Sequence, residues 1–257
     1  MIYSQAESAL RALTGSSTRA KILLAIRDGP MPIRPLSGVV GASTSTVAHS
    51  IAAMREEICR DGGAYRLTNL GMIRAEALDR LLSCLIALDE NAAFWQGHDI
   101  SGIPASLLAD IGLLSGGQCV QDNGFVMKSL DGFLWETSKA KHMWAVSPVI
   151  APGHAELIAG LVEAGAEVHL ILTSEIMALL DQEQLKSLLA ASNFHLYQID
   201  QEVKTAFTVA DDMLSLGLYL PSGKYDTNQD LVCHGQAAVE WGMRLWEYYK
   251  SKATKID

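Results

Sequence analysis

Apolar residues recur at helical spacing in the first part of the chain and predict a series of short helices there. Between residues 43 and 59 the apolar positions are separated by four, three and four residues, which predicts one helix ending near Cys59. Ser43 precedes this helix and has a side chain that caps helix starts. A shorter helix is predicted over Ile33–Val40, with a tight turn at Gly41 and Ala42.

Further turn signals divide the rest of this N-terminal region. A first helix begins after Ser16 and stops near Gly29. Gly62 and Gly63 end the helical pattern, and a short strand is predicted at Ala64–Leu67. Two helices joined by a tight glycine turn and followed by a strand are the arrangement of a winged helix-turn-helix.

A long helix is predicted over residues 70–95. Its apolar stripe consists of Ile73, Ala77, Leu81, Leu85 and Leu88. Such a helix can form the seam between two copies of the chain, or it can pack on its own chain. A second amphipathic helix is predicted at residues 237–252 and bears Trp241, Leu245 and Tyr248. We expect one of the two helices to lie in the two-fold interface of a homodimer.

Beyond residue 140, short apolar runs alternate with helical segments. The runs lie at residues 142–150, 167–174, 194–199, 206–211 and 214–220. Helices are predicted at residues 103–114, 125–137 and 152–164, and helical segments are predicted to fill residues 174–191. Strands that alternate with helices are typical of a largely parallel sheet with helices on both faces.

These patterns together predict an α+β protein of two domains. Residues 1–75 are expected to form an N-terminal winged helix-turn-helix, and residues 76–97 a linker or dimerisation helix. Residues 98–257 are expected to form a C-terminal α/β domain with a mostly parallel sheet.

The charge of the chain is divided unevenly between these parts. The whole chain carries a formal net charge of −9. Residues 1–75 hold nine Lys and Arg against five Asp and Glu, a net of +4, so the remainder carries −13. A basic N-terminal part favours an anionic partner, and with the helix-turn-helix pattern this predicts double-stranded DNA.

The composition argues against several other classes of protein. No apolar run is long enough to span a bilayer and the N-terminus lacks a signal pattern, so we expect a soluble, cytoplasmic protein without membrane contact. The cysteines are widely spaced and form no CxxC pair, which argues against a metal site or a disulfide framework; they are Cys59, Cys84, Cys119 and Cys233. No GxGxxG, Walker A, GxSxG or HExxH motif occurs, so no cofactor is predicted.

Several stretches of the chain resemble known regulators. RPLSGVVGASTSTVAHSIAAM and GAYRLTNLGM resemble the recognition helices and wing of winged-helix repressors. The second half resembles the sensor domain of the methanogenesis regulatory proteins in FWQGHDISGIPASLLADIGLL, MWAVSPVIAPGHAELIAGLVEAGAEVHLILT, SLGLYLPSGKYDTNQDL and EWGMRLWEYY. This resemblance implies a DNA-binding transcriptional regulator of archaea that responds to a small effector.

A further stretch, KTAFTVADD, resembles one half of a phospholipase D-type domain. That superfamily uses an HxKxxxxD motif, in which the histidine attacks phosphorus and the lysine holds phosphate oxygens. Here Lys204 stands in the place of the histidine, Ala206 in the place of the lysine, and Asp211 is kept. The resemblance therefore implies a degenerate domain without catalysis. Two alternatives stay open: a hydrolase acting on a phosphodiester or another small molecule, and a winged-helix scaffold that binds proteins.

The residues expected to contact DNA belong to two groups. The exposed face of the recognition helix offers Ser43, Ser45, Thr46, His49 and Ser50 to phosphates and base edges. Flanking arginines are expected to grip the phosphate backbone: Arg19, Arg34 and Arg66.

An effector site is expected at the carboxyl ends of the sheet strands, where ligands of α/β proteins bind. Ser147 ends the first strand, and His154 lies at the start of the following helix, whose N-terminus favours an anionic group. The remaining candidates are Trp135, Glu136, Thr173 and Asp211. We therefore expect the effector to be small and anionic.

Overall fold

The computed structural model describes residues 14–121, 136–150 and 152–256, together with Glu7, Arg11 and Phe133. The chain divides into two compact units, one up to Leu82 and one from Ser83 onward. This division falls inside the predicted linker segment, and the two units are described separately below.

The first unit contains three short helices, a small antiparallel sheet and the start of a long helix. The helices are α1 (Ser17–Ala25), α2 (Ile33–Val40), α3 (Thr44–Ala52) and α4 (Asn69–Glu90). The strands are β1 (Met31–Pro32), β2 (Ile58–Asp61) and β3 (Ala64–Leu67), in the order β1-β3-β2. The helices of the predicted winged helix-turn-helix and the strand at Ala64–Leu67 are thus confirmed, whereas β1 and β2 were not predicted.

Local chemistry explains the turn between α2 and α3. Gly41 adopts a left-handed conformation with φ of 71°, which glycine tolerates best and which ends α2. The buried core under the helices includes Ile22, Leu23, Leu36, Val47, Ile51 and Ile58. This core fixes which side of α3 faces outward.

The prediction of where the recognition helix, α3, ends was wrong. Helix α3 ends at Ala52 rather than near Cys59, and Ile58 begins strand β2. Gly62 and Gly63 both have positive φ, of 54° and 93°, as a two-residue hairpin turn requires. Ile58 is buried in the strand, as it would also be in a continued helix. The spacing of apolar residues alone therefore did not distinguish a helix from a strand at this position.

The second unit is built on one eight-stranded sheet. Its strands are β4 (Gln118–Gln121), β5 (His142–Ser147), β6 (Glu167–Thr173), β7 (Phe194–Ile199), β8 (Thr205–Ala210), β9 (Met213–Leu218), β10 (Gln229–His234) and β11 (Thr254–Ile256). Its helices are α5 (Ala92–Gly97), α6 (Ala105–Leu108), α7 (His154–Glu163), α8 (Ser174–Met177), α9 (Gln182–Leu189) and α10 (Gln236–Lys250), with a 3-10 helix at Ile111–Leu114.

The sheet is mixed, so the expectation of a mostly parallel sheet holds only in part. The strand order is β11-β7-β6-β5-β8-β9-β10-β4. Only the pairs β5·β6 and β6·β7 are parallel among the described strands. Strands β8 and β9 are joined by Asp211 and Asp212 alone, and a connection this short forces an antiparallel hairpin. Strands β4, β10 and β11 were not predicted.

Two predicted helices differ from the observed elements. The helix expected at 70–95 is interrupted at Asn91, whose buried side-chain amide donates to the carbonyl oxygen of Gly117 at 3.0 Å. The segment 103–114 forms α6 and the 3-10 helix instead of one helix. The helix predicted at 125–137 lies largely outside the described residues.

The two faces of the large sheet are covered differently. Helix α10 lies on one face and inserts Trp241, Leu245 and Trp246, each almost fully buried. Helices α7, α8 and α9 cover the other face over β5, β6 and β7. Within the part of the chain that the structure describes, no helix combines the length and apolar character needed to cross a bilayer.

Candidate nucleic-acid interface and ligand cavity

The N-terminal half of α3 presents a connected set of polar side chains to solvent. Ser43, Ser45, Thr46 and His49 are all exposed. The Ser43 hydroxyl accepts a hydrogen bond from the backbone N–H of Thr46 at 3.1 Å, which caps the helix. The same oxygen lies 2.8 Å from each of the hydroxyls of Ser45 and Thr46. Helix capping and surface presentation therefore depend on one residue.

Ser50 was expected on this exposed face and is buried instead. It lies three residues after Val47 and beside Ile51, both of which pack into the core of the unit. Its position on the helix thus places it on the inner side. The outward-facing set is correspondingly shorter by one residue.

The arginines near this face differ in how they are held. Arg34 and Arg66 are exposed, and Nε of Arg66 lies 3.3 Å from Oδ2 of Asp61 at the base of the hairpin. Arg19 is half-buried in the first turn of α1. A surface ion pair such as Arg66–Asp61 contributes at most about 1 kcal/mol, so a phosphate can compete for the guanidinium.

Two other arginines of the first unit serve its own structure. Nη1 of Arg27 lies 2.6 Å from Oδ2 of Asp79, and hydrogen bonds from this residue to Asp79 and Asp28 raise the pKa of Arg27. Arg74 pairs with the buried carboxylate of Glu57. Breaking such a partly buried pair leaves a charge without its partner, so we assign these residues to folding rather than to DNA contact.

The second unit encloses a cavity of about 270 Å³ between its sheet and helices α7, α8 and α9. The apolar wall is formed by strands β5 to β7 and the helices, and includes Leu157, Ile158, Leu170, Leu172, Ile176 and Leu185. Helices α7 to α9 do not extend their cover over β8 and β9, where the wall is polar instead. The cavity therefore has two chemically different ends.

The polar end consists of residues from β8, β9, β10 and the segment before β10: Thr208, Ser215, Tyr225, Asp226, Thr227 and Asp230. Thr208 and Ser215 are cross-strand partners. Gly217 makes room for this arrangement, because a Cβ there would collide with the hydroxyl of Tyr225 and with Oδ1 of Asp230. The Tyr225 hydroxyl lies 3.5 Å from Oδ1 of Asp230. Burial, followed by the charge of Asp230, raises the pKa of Tyr225 well above its usual value.

A buried pair, His98 and Asp226, borders the polar end. Nδ1 of His98 lies 2.7 Å from the carbonyl oxygen of Phe94, which can only accept, so Nδ1 carries a proton. Nε2 lies 3.2 Å from Oδ2 of Asp226, and this contact is favourable only with one proton between the two atoms. This contact holds the Asp226 side chain at the border of the cavity.

The cavity contains two of the residues expected at the effector site. Ser147 and His154 line it. Burial lowers the pKa of His154, so its imidazole is neutral at neutral pH. The ring of His154 lies 5.6 Å from that of Phe133, measured between centroids.

The other expected effector residues lie elsewhere. Thr173 caps α8, and Glu136 is exposed, 4.0 Å from Nε2 of His234. Asp211 accepts hydrogen bonds from the backbone N–H groups of Lys141 and His142. Burial alone would raise the pKa of Asp211, but these hydrogen bonds lower it overall. None of these residues is among those that line the cavity, and Trp135 lies outside the described residues.

The three residues aligned with the phospholipase D motif lie apart from one another along β8. Nζ of Lys204 lies 3.2 Å from Oδ2 of Asp99, whose hydrogen bond and charge raise the pKa of the lysine. Ala206 lines the cavity. Asp211 follows the opposite end of the strand. Where the superfamily motif requires a phosphate-binding lysine, this cavity thus has a methyl group.

In the described ranges, one group of side chains has the composition of a metal site: Glu167, His169 and His195. Oε1 of Glu167 lies 2.7 Å from Nε2 of His195 and 3.4 Å from Nε2 of His169. Nδ1 of His169 is buried without a hydrogen-bond partner in the described part of the chain. Because metal-bound histidines usually donate their second N–H, this geometry fits a shared carboxylate acceptor better than a metal centre.

Comparison with known protein families identifies the family to which the chain belongs. The family "Methanogenesis regulatory protein FilR1, N-terminal domain" matches residues 7–86, and "Methanogenesis regulatory protein FilR1, middle domain" matches residues 127–252. The chain belongs to this family. A methanogenesis regulatory protein of Methanothrix harundinacea (strain 6Ac) is 32% identical over 261 residues, which cover 96% of this chain and 58% of the relative. The chain thus spans little more than half the length of that regulatory protein.

Two solved structures are more distant. TrmBL2, an archaeal chromatin protein, is 13% identical with a TM-score of 0.46, over 93% of each chain. Nuc of Salmonella typhimurium, a phospholipase D family member, is 13% identical with a TM-score of 0.39, over 55% of this chain and 97% of Nuc. At this level of similarity neither structure bears on the function of this methanogenesis regulatory family member.

The residues that the sequence missed are those of the polar cavity end. Thr208 and Ser215 interrupt otherwise apolar strands, and a polar residue inside a buried strand is a signal that could have found them. Tyr225, Asp226 and Asp230 lie close together in the stretch KYDTNQD, whose acidic and aromatic character was visible in the sequence. The antiparallel return of β9 and β10, which unites these residues, was not predicted.

Proposed function

We propose that this protein is a DNA-binding transcriptional regulator that acts in the cytoplasm and senses a small effector in its second unit. The observation that carries the proposal is the helix-turn-helix formed by α2, Gly41 and α3, with polar side chains directed outward along α3. Membership of a family of regulatory proteins supports the same role.

Phosphate contacts are expected to supply most of the affinity for DNA. The outward face of α3 offers hydroxyls and His49 but no Lys or Arg, so direct base readout by bidentate arginine is absent from this described face. Arg34 and Arg66, both exposed, would instead bind the backbone. The complex should therefore weaken steeply with salt.

The experiment is a fluorescence anisotropy titration of the full chain with duplexes from the region upstream of its own gene. We expect tighter binding to one such duplex than to random DNA. Replacement of Arg34 and Arg66 by alanine should each lower the slope of log affinity against log salt by about 1. Lys224→Ala, an exposed lysine of the second unit, is the matched control and should leave the slope unchanged.

If no upstream duplex binds better than random DNA, with or without cell extract as a source of effector, the regulator proposal fails. If specific binding persists with an unchanged salt slope in both arginine variants, the assigned surface is wrong.

We further propose that the protein is a homodimer whose seam is α4. The two candidate helices differ in what their apolar faces already contact. Trp241 and Leu245 of α10 are completely buried within their own unit. On α4, by contrast, Ile73, Leu81 and Leu85 are 68%, 43% and 48% exposed. An isologous contact between two such stripes would cover them.

Light scattering tests the dimer. The native chain should have twice its mass of 27.8 kDa at micromolar concentration. The double variant Leu81→Glu and Leu85→Glu should be monomeric, because it places charges in the seam. Leu179→Glu is the control, since Leu179 is an exposed leucine elsewhere in the chain. A native monomer, or a double variant that stays dimeric, refutes this seam.

The sensing role rests on the cavity rather than on catalysis. Strand β8 places Ala206 against the cavity and leaves Lys204 paired with Asp99, so the groups that would attack and hold a phosphate are not assembled there. An effector could regulate DNA binding only if it contacts the cavity differently in the two functional states. Phosphodiesterase turnover that disappears in Asp211→Asn would overturn the non-catalytic proposal.

A further inference from the structure

We propose that His49 is the residue of α3 that selects the DNA sequence, by donating a hydrogen bond to the edge of a guanine in the major groove. This inference rests on the proposed DNA-binding function and names the side chain and the base that give it specificity. Contacts from arginines to phosphates position a protein on the duplex, whereas contacts to base edges distinguish one sequence from another.

Helix α3 carries one long side chain on its outward face. His49 is exposed, and its imidazole extends farther from the helix axis than the side chains around it. The other exposed residues of the helix are small and end at their β or γ atoms: Thr44, Ser45, Thr46 and Ala52. The major groove is wide enough for an α-helix. A helix with such small side chains can lie deep in that groove, and His49 is then the side chain that reaches the base edges.

The position of His49 on the helix directs it away from the core. It lies one helical turn after Ser45 and Thr46, and residues three or four positions apart share one side of a helix. Val47 and Ile51 occupy the opposite, buried side. The imidazole is therefore presented on the same side as the exposed hydroxyls, beyond the first turn of α3.

The hydroxyls on this face are occupied by one another, whereas the imidazole is free. Oγ of Ser43 accepts from the backbone N–H of Thr46 and lies 2.8 Å from the hydroxyl oxygens of Ser45 and Thr46. A hydroxyl can also donate or accept, so it distinguishes poorly between base edges. The ring nitrogens of His49 have no hydrogen-bond partner in the part of the chain that the structure describes. His49 is thus the side chain of this face whose hydrogen-bonding groups are available to a base.

The chemistry of imidazole favours guanine among the four bases. In either protonation state the ring carries at least one N–H donor. Guanine presents two neighbouring acceptors in the major groove, N7 and O6. Adenine places an amino group beside its N7, cytosine presents an amino group, and thymine has a methyl group beside its single acceptor. A donor from the protein therefore meets its most favourable surroundings at guanine.

Arg55 is the nearest alternative, because it is exposed just beyond the end of α3. Its Nε donates to the carbonyl oxygen of Ala52 at 3.1 Å, which holds the side chain against the last turn of the helix. Helix-turn-helix proteins contact bases with the N-terminal residues of the recognition helix. His49 lies closer to that end than Arg55 does, so the structure favours His49.

The test measures base preference and salt dependence with the full chain. The probe is the best-binding duplex from the region upstream of its own gene, with each base pair changed in turn. His49→Ala should lose about tenfold discrimination at one G·C pair and keep the salt slope, because a base contact displaces no phosphate counterions. Arg34→Ala should show the reverse, with a slope lowered by about 1 and base preference intact. Lys224→Ala is the control and should change neither quantity.

A second variant tests the hydrogen bond itself. Glutamine pairs with N6 and N7 of adenine, so His49→Gln should lose the preference for guanine or replace it with a preference for adenine at the same base pair. An unchanged preference for guanine in this variant overturns the proposal. A residue that only positions the helix would instead weaken discrimination at several base pairs together.

The outcomes separate this inference from the regulator proposal. If no upstream duplex binds better than random DNA, both fail. If specific binding exists and His49→Ala retains all of it, or loses discrimination at many base pairs at once, only this inference fails. It fails as well if the affected base pair is A·T, or if Arg55→Ala rather than His49→Ala removes the preference.

Discussion

At the start of α3 the first unit presents small polar side chains to solvent, whereas on β8 and β9 the second unit presents them to a cavity. On α3, Ser43 and Thr46 are exposed and connected to each other. On β8 and β9, Thr208 and Ser215 are buried side by side and face a cavity. Hydroxyls exposed on a helix can contact a large polar partner such as a nucleic acid, whereas hydroxyls at a cavity can only contact what enters it. Under the proposed function, the same chemical groups serve partners of different size.

The two faces of the large sheet extend the comparison within the second unit. The face under α10 is filled by Trp241, Leu245 and Trp246, while the other face has a cavity between the sheet and helices α7 to α9. A filled core supplies stability, and an unfilled region supplies a binding site at some cost in packing. The predictions below test this division of roles, beginning with the largest effect.

Trp241→Ala should produce the largest loss of stability. The indole is completely buried, and its Nε1 donates to the carbonyl oxygen of Leu107 at 3.0 Å. Truncation leaves a large void and removes this hydrogen bond, so the free energy of unfolding should fall by about 3–5 kcal/mol. Denaturation followed by tryptophan fluorescence measures it, because all five tryptophans lie after Ser83 and report on the second unit alone.

The matched variant on the cavity face is Ser215→Ala. Its hydroxyl has no hydrogen-bond partner within the described residues, so its removal should change the free energy of unfolding by less than about 0.5 kcal/mol. If Ser215→Ala destabilises the unit as much as Trp241→Ala does, the cavity face contributes as much to the stability of the unit as the filled face, and the comparison fails.

Local patterns predicted the first unit better than the second. The helix-turn-helix depends on neighbours in sequence, namely Gly41, which ends α2, and the Ser43 cap, which begins α3, so both helix ends at this turn were predicted. The end of α3 was missed because Ile58 is buried in the same core from a strand. In the second unit, apolar runs located strands such as β7, but their direction depends on connections that periodicity does not report.

The cavity shows the same limit at the level of side chains. Ser147 and His154 were found because they lie at the end of a strand and the start of a helix that are adjacent in sequence. Thr208, Ser215 and Asp230 meet only through the antiparallel pairing of β8 with β9 and of β9 with β10. A site assembled across antiparallel strands therefore needs the three-dimensional register, which the sequence pattern does not contain.

Ser43→Ala should have an intermediate effect, on the first unit. It removes the hydroxyl that accepts from Thr46 N–H and leaves that donor to solvent. Loss of such a cap should reduce the free energy of unfolding by about 1 kcal/mol and loosen the start of α3. Hydrogen exchange of the α3 amides measures this, with Ser45→Ala as the control because Ser45 does not cap the helix. Equal exchange rates in the two variants would show that the cap does not hold the DNA-facing residues in place.

The smallest expected effect is a dependence of the second unit on pH. Burial, and then the nearby charges of His195 and Lys250, lower the pKa of His169 below its ordinary value of 6.5. The unfolded chain therefore binds this proton more readily than the folded one, so the stabilisation is complete above about pH 6.5 and decreases as the pH falls below it. Asp99 and Asp211 have lowered pKa values and affect stability in a separate pH window, below their ordinary value of 3.8.

His169→Phe should flatten the curve of unfolding free energy against pH between about pH 7 and pH 5, as measured by tryptophan-monitored denaturation. The exposed-histidine control His234→Gln should retain the native slope. A curve that stays equally steep in His169→Phe would mean that the inward-facing histidine does not carry the pH dependence, and that His154, whose pKa is lowered by burial as well, is the next residue to replace.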